Sequence, residues 1–173
     1  RYSNDRAPQY QIKTTIVETK DGKKEVRKYP ISEEAKEHTA NLQIAYEGLE
    51  KRYKGSGLHV NKCELVEKDD EYYATLEFVK GRPLSQYMDE CLEREDFEGF
   101  MQLFEKYLEY VGYNEEYPVA DFDLVFSNLM IDGDDWTLID YEWTFGKAVE
   151  TKELAFRAVY CYLLEDEKRN CLP

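Results

Sequence analysis

The feature that most constrains this chain is a hairpin pattern in residues 120–146, A-D-F-D-L-V-F-S-N-L-M-I-D-G-D-D-W-T-L-I-D-Y-E-W-T-F-G. A polar loop leads into a short apolar run (Leu129, Met130, Ile131), a tight turn follows at Asp132-Gly133-Asp134, and a second apolar run (Trp136 to Ile139) ends on Asp140. Two short apolar runs around an Asp-Gly turn predict a β-hairpin. Asp123 and Asn128 lie just before its first strand and Asp140 just after its second, so antiparallel pairing brings all three to the open end. No Lys or Arg occurs between Asp121 and Trp143 to neutralise them. Carboxylate and carboxamide oxygens in that number suit a hard cation such as Mg²⁺, which takes one or two carboxylates and fills its shell with substrate phosphates.

The first 80 residues read as strand-rich. Alternation over 10–19 puts Tyr10, Ile12, Thr14 and Ile16 on one face of a strand, Asp21-Gly22 makes a turn, and 25–29 is the return strand, ended by Pro30. Val26 and Lys28 share a face of it. Lys28 is either an edge lysine whose stem lies along apolar surface or a cation held for a ligand. Ser32 predicts a helix N-cap, with Glu33 and Glu34 in the first turn. Ala35, Thr39, Leu42, Tyr46, Leu49 and Tyr53 form one stripe of that helix, and Lys54-Gly55-Ser56-Gly57 closes it. Residues 58–67 and 72–79 are two further strands. After Gly81-Arg82-Pro83 the pattern turns helical: 84–91, then 96–112 capped by Asp96, then the hairpin, then 150–167. Residues 1–8 are polar and turn-rich, either a disordered start or a phosphate-covering loop that lacks G-x-G-x-x-G.

D-x-x-x-x-N, a hairpin and I-D-Y-E together resemble the catalytic core of the protein-kinase-like superfamily, above all its small-molecule branch of aminoglycoside and choline kinases. That branch carries H-G-D-x-x-x-x-N; here Asp121 stands where it has His. The resemblance implies an α+β, two-lobed fold, with an antiparallel-sheet N-lobe over 1–80 and a mainly helical, short C-lobe over 81–173. It implies Asp123 as catalytic base and Asn128 and Asp140 as metal ligands. V-R-K sits where the superfamily has its phosphate-gripping lysine, which implies that role for Lys28, with Glu34 as the helix acid that pairs with it. E-F-V-K-G-R-P-L resembles the hinge, with the Glu77 carbonyl and the Val79 amide as adenine contacts. The implied cofactors are ATP and Mg²⁺, bound between the lobes. The implied reaction is phosphoryl transfer to a small-molecule hydroxyl. The segment from Lys28 to His38 is also similar to kinase-like domains fused to bacterial methyltransferases and glycosyltransferases of surface-polysaccharide synthesis, which would make the acceptor a saccharide.

Composition limits the partners. A formal net charge of −14 disfavours nucleic acid and anionic membranes. The four cysteines form no C-x-x-C pair, so free thiols in a reducing cytoplasm are the expectation. No apolar run approaches the roughly 20 residues of a membrane helix, and no signal peptide is evident. A chain that starts at Arg1 and stops soon after a charged helix is expected to be a piece of a longer protein with other domains. Two rival functions stand beside the kinase. One is a pseudokinase that binds nucleotide without turnover, suggested by Asp121. The other is a glycosyltransferase, because Asp121-Phe122-Asp123 is a D-x-D.

Overall fold

In a computed structural model, residues 1–3 and 5–171 are described; Asn4, Leu172 and Pro173 lie outside them, as does the Cys171 side chain. The fold is α+β, and the chain divides into two compact units, Arg1–Glu47 with Asn61–Val79 and Gly48–Val60 with the residues from Lys80 onward.

The first unit is built on β1 (Ile12–Glu18) and β2 (Lys24–Pro30), joined by a turn in which the Thr19 amide donates to Lys23 O at 2.7 Å. The helix α1 (Lys36–Tyr53) follows, and its residues from Gly48 belong to the second unit. After β3 (Leu58–Val60), which is part of the second unit, come β4 (Cys63–Lys68) and β5 (Glu71–Glu77). The sheet has the order β1-β2-β5-β4 and is antiparallel throughout. Ile12, Ala35, Leu42, Ala45, Tyr73, Ala74 and Leu76 are its buried core. The helix is tied to the sheet by polar contacts as well: the Leu65 amide donates to Gln43 Oε1 at 2.9 Å.

Four sequence expectations need correction here. Tyr10 falls in a 3-10 turn, Pro8–Tyr10, and Ile16 is exposed, so the predicted apolar face of the first strand holds only at Ile12. The reason is position: β1 is an edge strand, and the outer end of an edge is poorly covered. Ser32 is not a side-chain cap. Its backbone is extended, but its Oγ makes no cap hydrogen bond and is buried without a partner, and the chain opens the helix with a 3-10 turn, Glu33–Ala35. The strand predicted over 58–67 breaks at Asn61, whose buried side chain donates to Glu77 O at 3.1 Å. The described opening residues are not a disordered start: the Arg1 ammonium donates to Thr14 O and the Ser3 amide to Ile12 O, alongside β1.

The second unit holds β6 (Arg82–Pro83), α2 (Leu84–Glu93), α3 (Phe97–Gly112), β7 (Ala120–Asp121), β8 (Leu129–Asp132), β9 (Asp135–Leu138), β10 (Thr144–Phe145) and α4 (Thr151–Glu165). The predicted hairpin is β8–β9, with Asp132 opposite Asp135 and Gly133 at φ 60° in a two-residue turn. It sits inside a sheet of order β3-β9-β8-β6, in which β3 runs parallel to β9. Residues 48–60, assigned by sequence to the first lobe, therefore belong with the hairpin instead. Gly81 (φ 104°) passes so close to the hairpin that a Cβ there would lie 2.2 Å from Ile131 O, which only glycine avoids. Asp96 caps α3 as expected, accepting from the Gly99 amide at 2.9 Å. Phe97 and Met101 of that helix are each 48% exposed. They border an apolar cavity of about 490 Å³ with Phe100, Phe104, Val159 and Leu163. Among the described residues no charged side chain lines that cavity.

Candidate functional site

The site is a loop braced from within. Asp121 ends β7, which pairs with β10 so that Thr144 lies opposite Asp121. The Phe122 amide donates to Trp143 O at 3.0 Å, continuing that pairing into the loop. Asp121 Oδ1 accepts the Asp123 amide at 2.9 Å, and the Val125 amide donates to Asp123 O at 2.7 Å. From below, the fully buried Tyr107 of α3 donates its hydroxyl to Leu124 O at 2.9 Å. Asn128 closes the loop: its Nδ2 donates to Asp123 O at 2.9 Å. Asn128 O in turn accepts the Ile139 amide at 2.9 Å, which fixes the end of β9 beside it. The next residue, Asp140, has φ 56°, a left-handed conformation that turns the chain sharply out of the strand, and it is exposed.

Asp123, Asn128 and Asp140 are thus assembled at the open end of the hairpin, as the spacing implied. Burial, with the charge of Asp140 added, pushes the Asp123 carboxyl above the usual carboxylate range. One opposing group was missed in the sequence. Arg157, on α4, donates its Nε to Phe122 O at 2.6 Å and brings Nη2 within 3.4 Å of Asp123 Oδ1. The interval from Asp121 to Trp143 has no cation, but the fold supplies one from 34 residues away. Only the helical pattern of α4 could have signalled it, and that pattern does not say what the helix faces.

Asn128 and Asp140 fit a hard cation in kind. With Nδ2 spent on Asp123 O, the Asn128 side chain has an oxygen to offer, and Asp140 adds an exposed carboxylate. Among the described residues no group of three or more His, Cys, Asp or Glu side chains is arranged to hold a metal by itself. Two protein oxygens suit a metal that arrives with phosphates, not a structural metal.

Asp121 is fully buried, and its Oδ2 has no hydrogen-bond partner. Burial pushes its carboxyl well above the ordinary range, with Asp123 and Asp140 adding to the rise and the hydrogen bond from the Asp123 amide opposing it. The folded state therefore keeps a proton that the unfolded chain gives up near its ordinary value of 3.8. Between those two pKa values stability falls as pH rises, because the native state binds more protons than the unfolded one. Asp121→Asn keeps an oxygen for the Asp123 amide and removes the titration. It is expected to gain stability over the parent as pH rises from about 4 to 7, with the gain vanishing below about pH 4. Urea unfolding of both proteins across that range checks this; a gain that grows toward acid would refute the burial argument.

The remaining predicted residues lie in the first unit. Lys28 is buried in the interior strand β2, between Thr14 of β1 and Ala74 of β5, so it is not an edge lysine. Glu34 is exposed, in the 3-10 turn Glu33–Ala35. The reason is the turn itself, which starts α1 only at Lys36 and leaves Glu34 facing solvent. Glu77 ends β5 with its carbonyl already accepting from Asn61, and Val79 follows the strand with its amide donating to no acceptor among the described residues. A search of protein-family models finds no match for this chain, and a search of curated proteins finds no relative.

Proposed function

We propose that the chain is a kinase-like phosphotransferase, its two units corresponding to the lobes of that fold, which moves the γ-phosphoryl group of ATP to a small-molecule or saccharide hydroxyl. The observation that carries this reading is the loop Asp121–Asn128: the Asp123 amide is held by the Asp121 carboxylate, the Asn128 carboxamide is fixed to the Asp123 carbonyl, and the Asp140 carboxylate is turned out of the adjoining strand. A ligand cation would supply charge neutralisation for the phosphates, held by Asn128 and Asp140. Asp123 takes the proton of the attacking hydroxyl. The hydroxyl oxygen bonds to the γ-phosphorus as the bond to the β–γ bridging oxygen breaks, and ADP leaves with that electron pair. Lys28 grips the nucleotide phosphates, and the Val79 amide, with the remaining lone pair of Glu77 O, meets the adenine. The free thiols of Cys63, Cys91 and Cys161 suit a reducing cytoplasm, and no described helix is long and apolar enough to cross a membrane.

Two measurements test the reading. The parent should convert ATP to ADP in the presence of Mg²⁺. Lys28→Ala should weaken ATP binding about tenfold or more, the value of a charge-assisted hydrogen bond, by calorimetry. Unchanged affinity would remove Lys28 from the site.

A nucleotide-binding module without turnover is the second reading. It is favoured by the ion pair between Arg157 and Asp123, which occupies the base. ATP binding without ADP formation would select it. The glycosyltransferase reading fares worse, because the first Asp of its D-x-D, Asp121, is fully buried and spends Oδ1 on the Asp123 amide.

A further inference from the structure

The surface beside Asp123 has a composition unlike the rest of the chain. Acids outnumber bases 37 to 23 overall, yet two cations flank the residue next to the base. Arg157 binds the Phe122 carbonyl, and Lys147 lies over the Phe122 ring, 5.4 Å from its centroid. Phe145, 44% exposed, packs edge-on to the same ring at 5.3 Å. Neither cation is used up. Lys147 is exposed and makes no ion pair among the described residues. Arg157 engages the loop through Nε and Nη2, its Nη1 has no hydrogen-bond partner among the described residues, and its side chain is 45% exposed.

We propose that Arg157 and Lys147 hold an anionic group, phosphate or carboxylate, on the hydroxyl-bearing acceptor, with the exposed Phe145 face taking the apolar side of its ring. This rests on the phosphotransferase reading for the identity of the acceptor, but not for the existence of the binding surface. The geometry supports it in three ways. A guanidinium is a planar fork matched to carboxylate and phosphate. Its unspent edge is attached to the same group that touches Asp123 Oδ1, so an anion there brings a neighbouring hydroxyl close to the base. Lys147, fixed over an aromatic face, adds a point charge with no competing acid of its own. Against these cations stand Asp140 and Glu142, both close enough to raise the Asp123 pKa. They favour an amine-bearing acceptor, so the proposal has a definite rival.

The test is binding without nucleotide. The ¹⁵N-labelled chain is titrated separately with glucose 6-phosphate, glucuronate, glucose and glucosamine, following backbone amide resonances. The expected result is that the two anionic sugars move the amides of Phe122, Phe145, Lys147 and Arg157, and the neutral and cationic sugars do not. Glucose 6-phosphate alone would identify phosphate as the anion, and glucuronate alone carboxylate. Arg157→Gln and Lys147→Gln should each weaken that binding about threefold to fivefold, the loss of one exposed ion pair, with the remaining resonances unchanged to show an intact fold. The proposal is overturned if glucosamine binds there in preference, if no anionic sugar moves these amides at tens of millimolar concentration, or if binding survives both substitutions. Absence of ATP turnover would sink the phosphotransferase reading and leave this result standing. Turnover with glucosamine as acceptor and none with the anionic sugars would do the reverse.

Discussion

Asp123→Asn is expected to cut the proposed phosphoryl transfer by about 100- to 10,000-fold, the usual contribution of a general base, while the proposed ATP binding at fixed Mg²⁺ stays equal or tightens. Asp140→Asn is expected to do the opposite first, weakening metal-dependent ATP binding itself. The difference follows from when each charge acts. A ligand carboxylate neutralises the cation before any bond changes, so its loss leaves the phosphates less well compensated in the ground state. A base matters as the acceptor proton moves, so its loss appears in turnover. Asp123 is also a negative group close to where the γ-phosphate must sit, and its charge already bears on Asp121. Neutralising it removes a repulsion. Arg157 adds a check, because its Nη2 loses a charged partner in Asp123→Asn and keeps it in Asp140→Asn. Titrating ATP into both variants while following ADP formation separates the roles. If Asp123→Asn abolishes metal-dependent binding and Asp140→Asn binds normally, the roles are reversed.

What made this site legible was short-range geometry. An Asp-Gly turn between two apolar runs fixes a hairpin, and the hairpin fixes which residues meet at its open end, so Asn128 and Asp140 could be paired from the sequence. The period of two did the same for Lys28, which the strand pairing buries between Thr14 and Ala74. Where the predictions failed, the deciding contact was distant or the competing local structure was close in energy. Residues 58–67 have the composition of one strand, but β3 finds a parallel partner in β9, nearly 80 residues later, and nothing in the local pattern announces that. The 3-10 start of α1 differs from a capped α-helix by a single turn, enough to leave Ser32 Oγ buried without a bond and Glu34 in solvent. Arg157 could be placed on a helix but not opposite Asp123. An isolated acidic hairpin and a hairpin with a cation docked against it have the same sequence between residues 121 and 143.

The largest stability effect is expected at a residue that no motif or apolar stripe singles out. Arg52, in the last turn of α1, has the look of a basic residue placed to complement the helix dipole. It is instead fully buried, with its guanidinium donating to three carbonyls: Val119 O at 2.7 Å, Val111 O at 2.9 Å and Tyr113 O at 3.2 Å. Those carbonyls belong to the end of α3 and the segment that leads into β7, so one side chain joins the end of α1 to the strand that carries Asp121. Asn114 reinforces the same junction, its Nδ2 donating to Arg52 O at 3.4 Å. Arg52→Met replaces the stem with apolar surface of similar length and removes all three donors. Each carbonyl left buried and unbonded costs about 1–3 kcal/mol, so a total loss of about 3–5 kcal/mol is expected, the scale seen when one member of a buried charged network is removed. Urea unfolding of the variant checks it. Arg52→Lys supplies the control: one ammonium reaches at most part of the three-carbonyl set that a planar fork spans, so it is expected to recover less than half of the loss. If Arg52→Met unfolds at the parent's urea midpoint, the three carbonyls find other donors and Arg52 does not hold the junction. If it is destabilised as expected, ligand binding at Asp123 should weaken with it wherever the native fraction falls, and should return to the parent's value once corrected for that fraction.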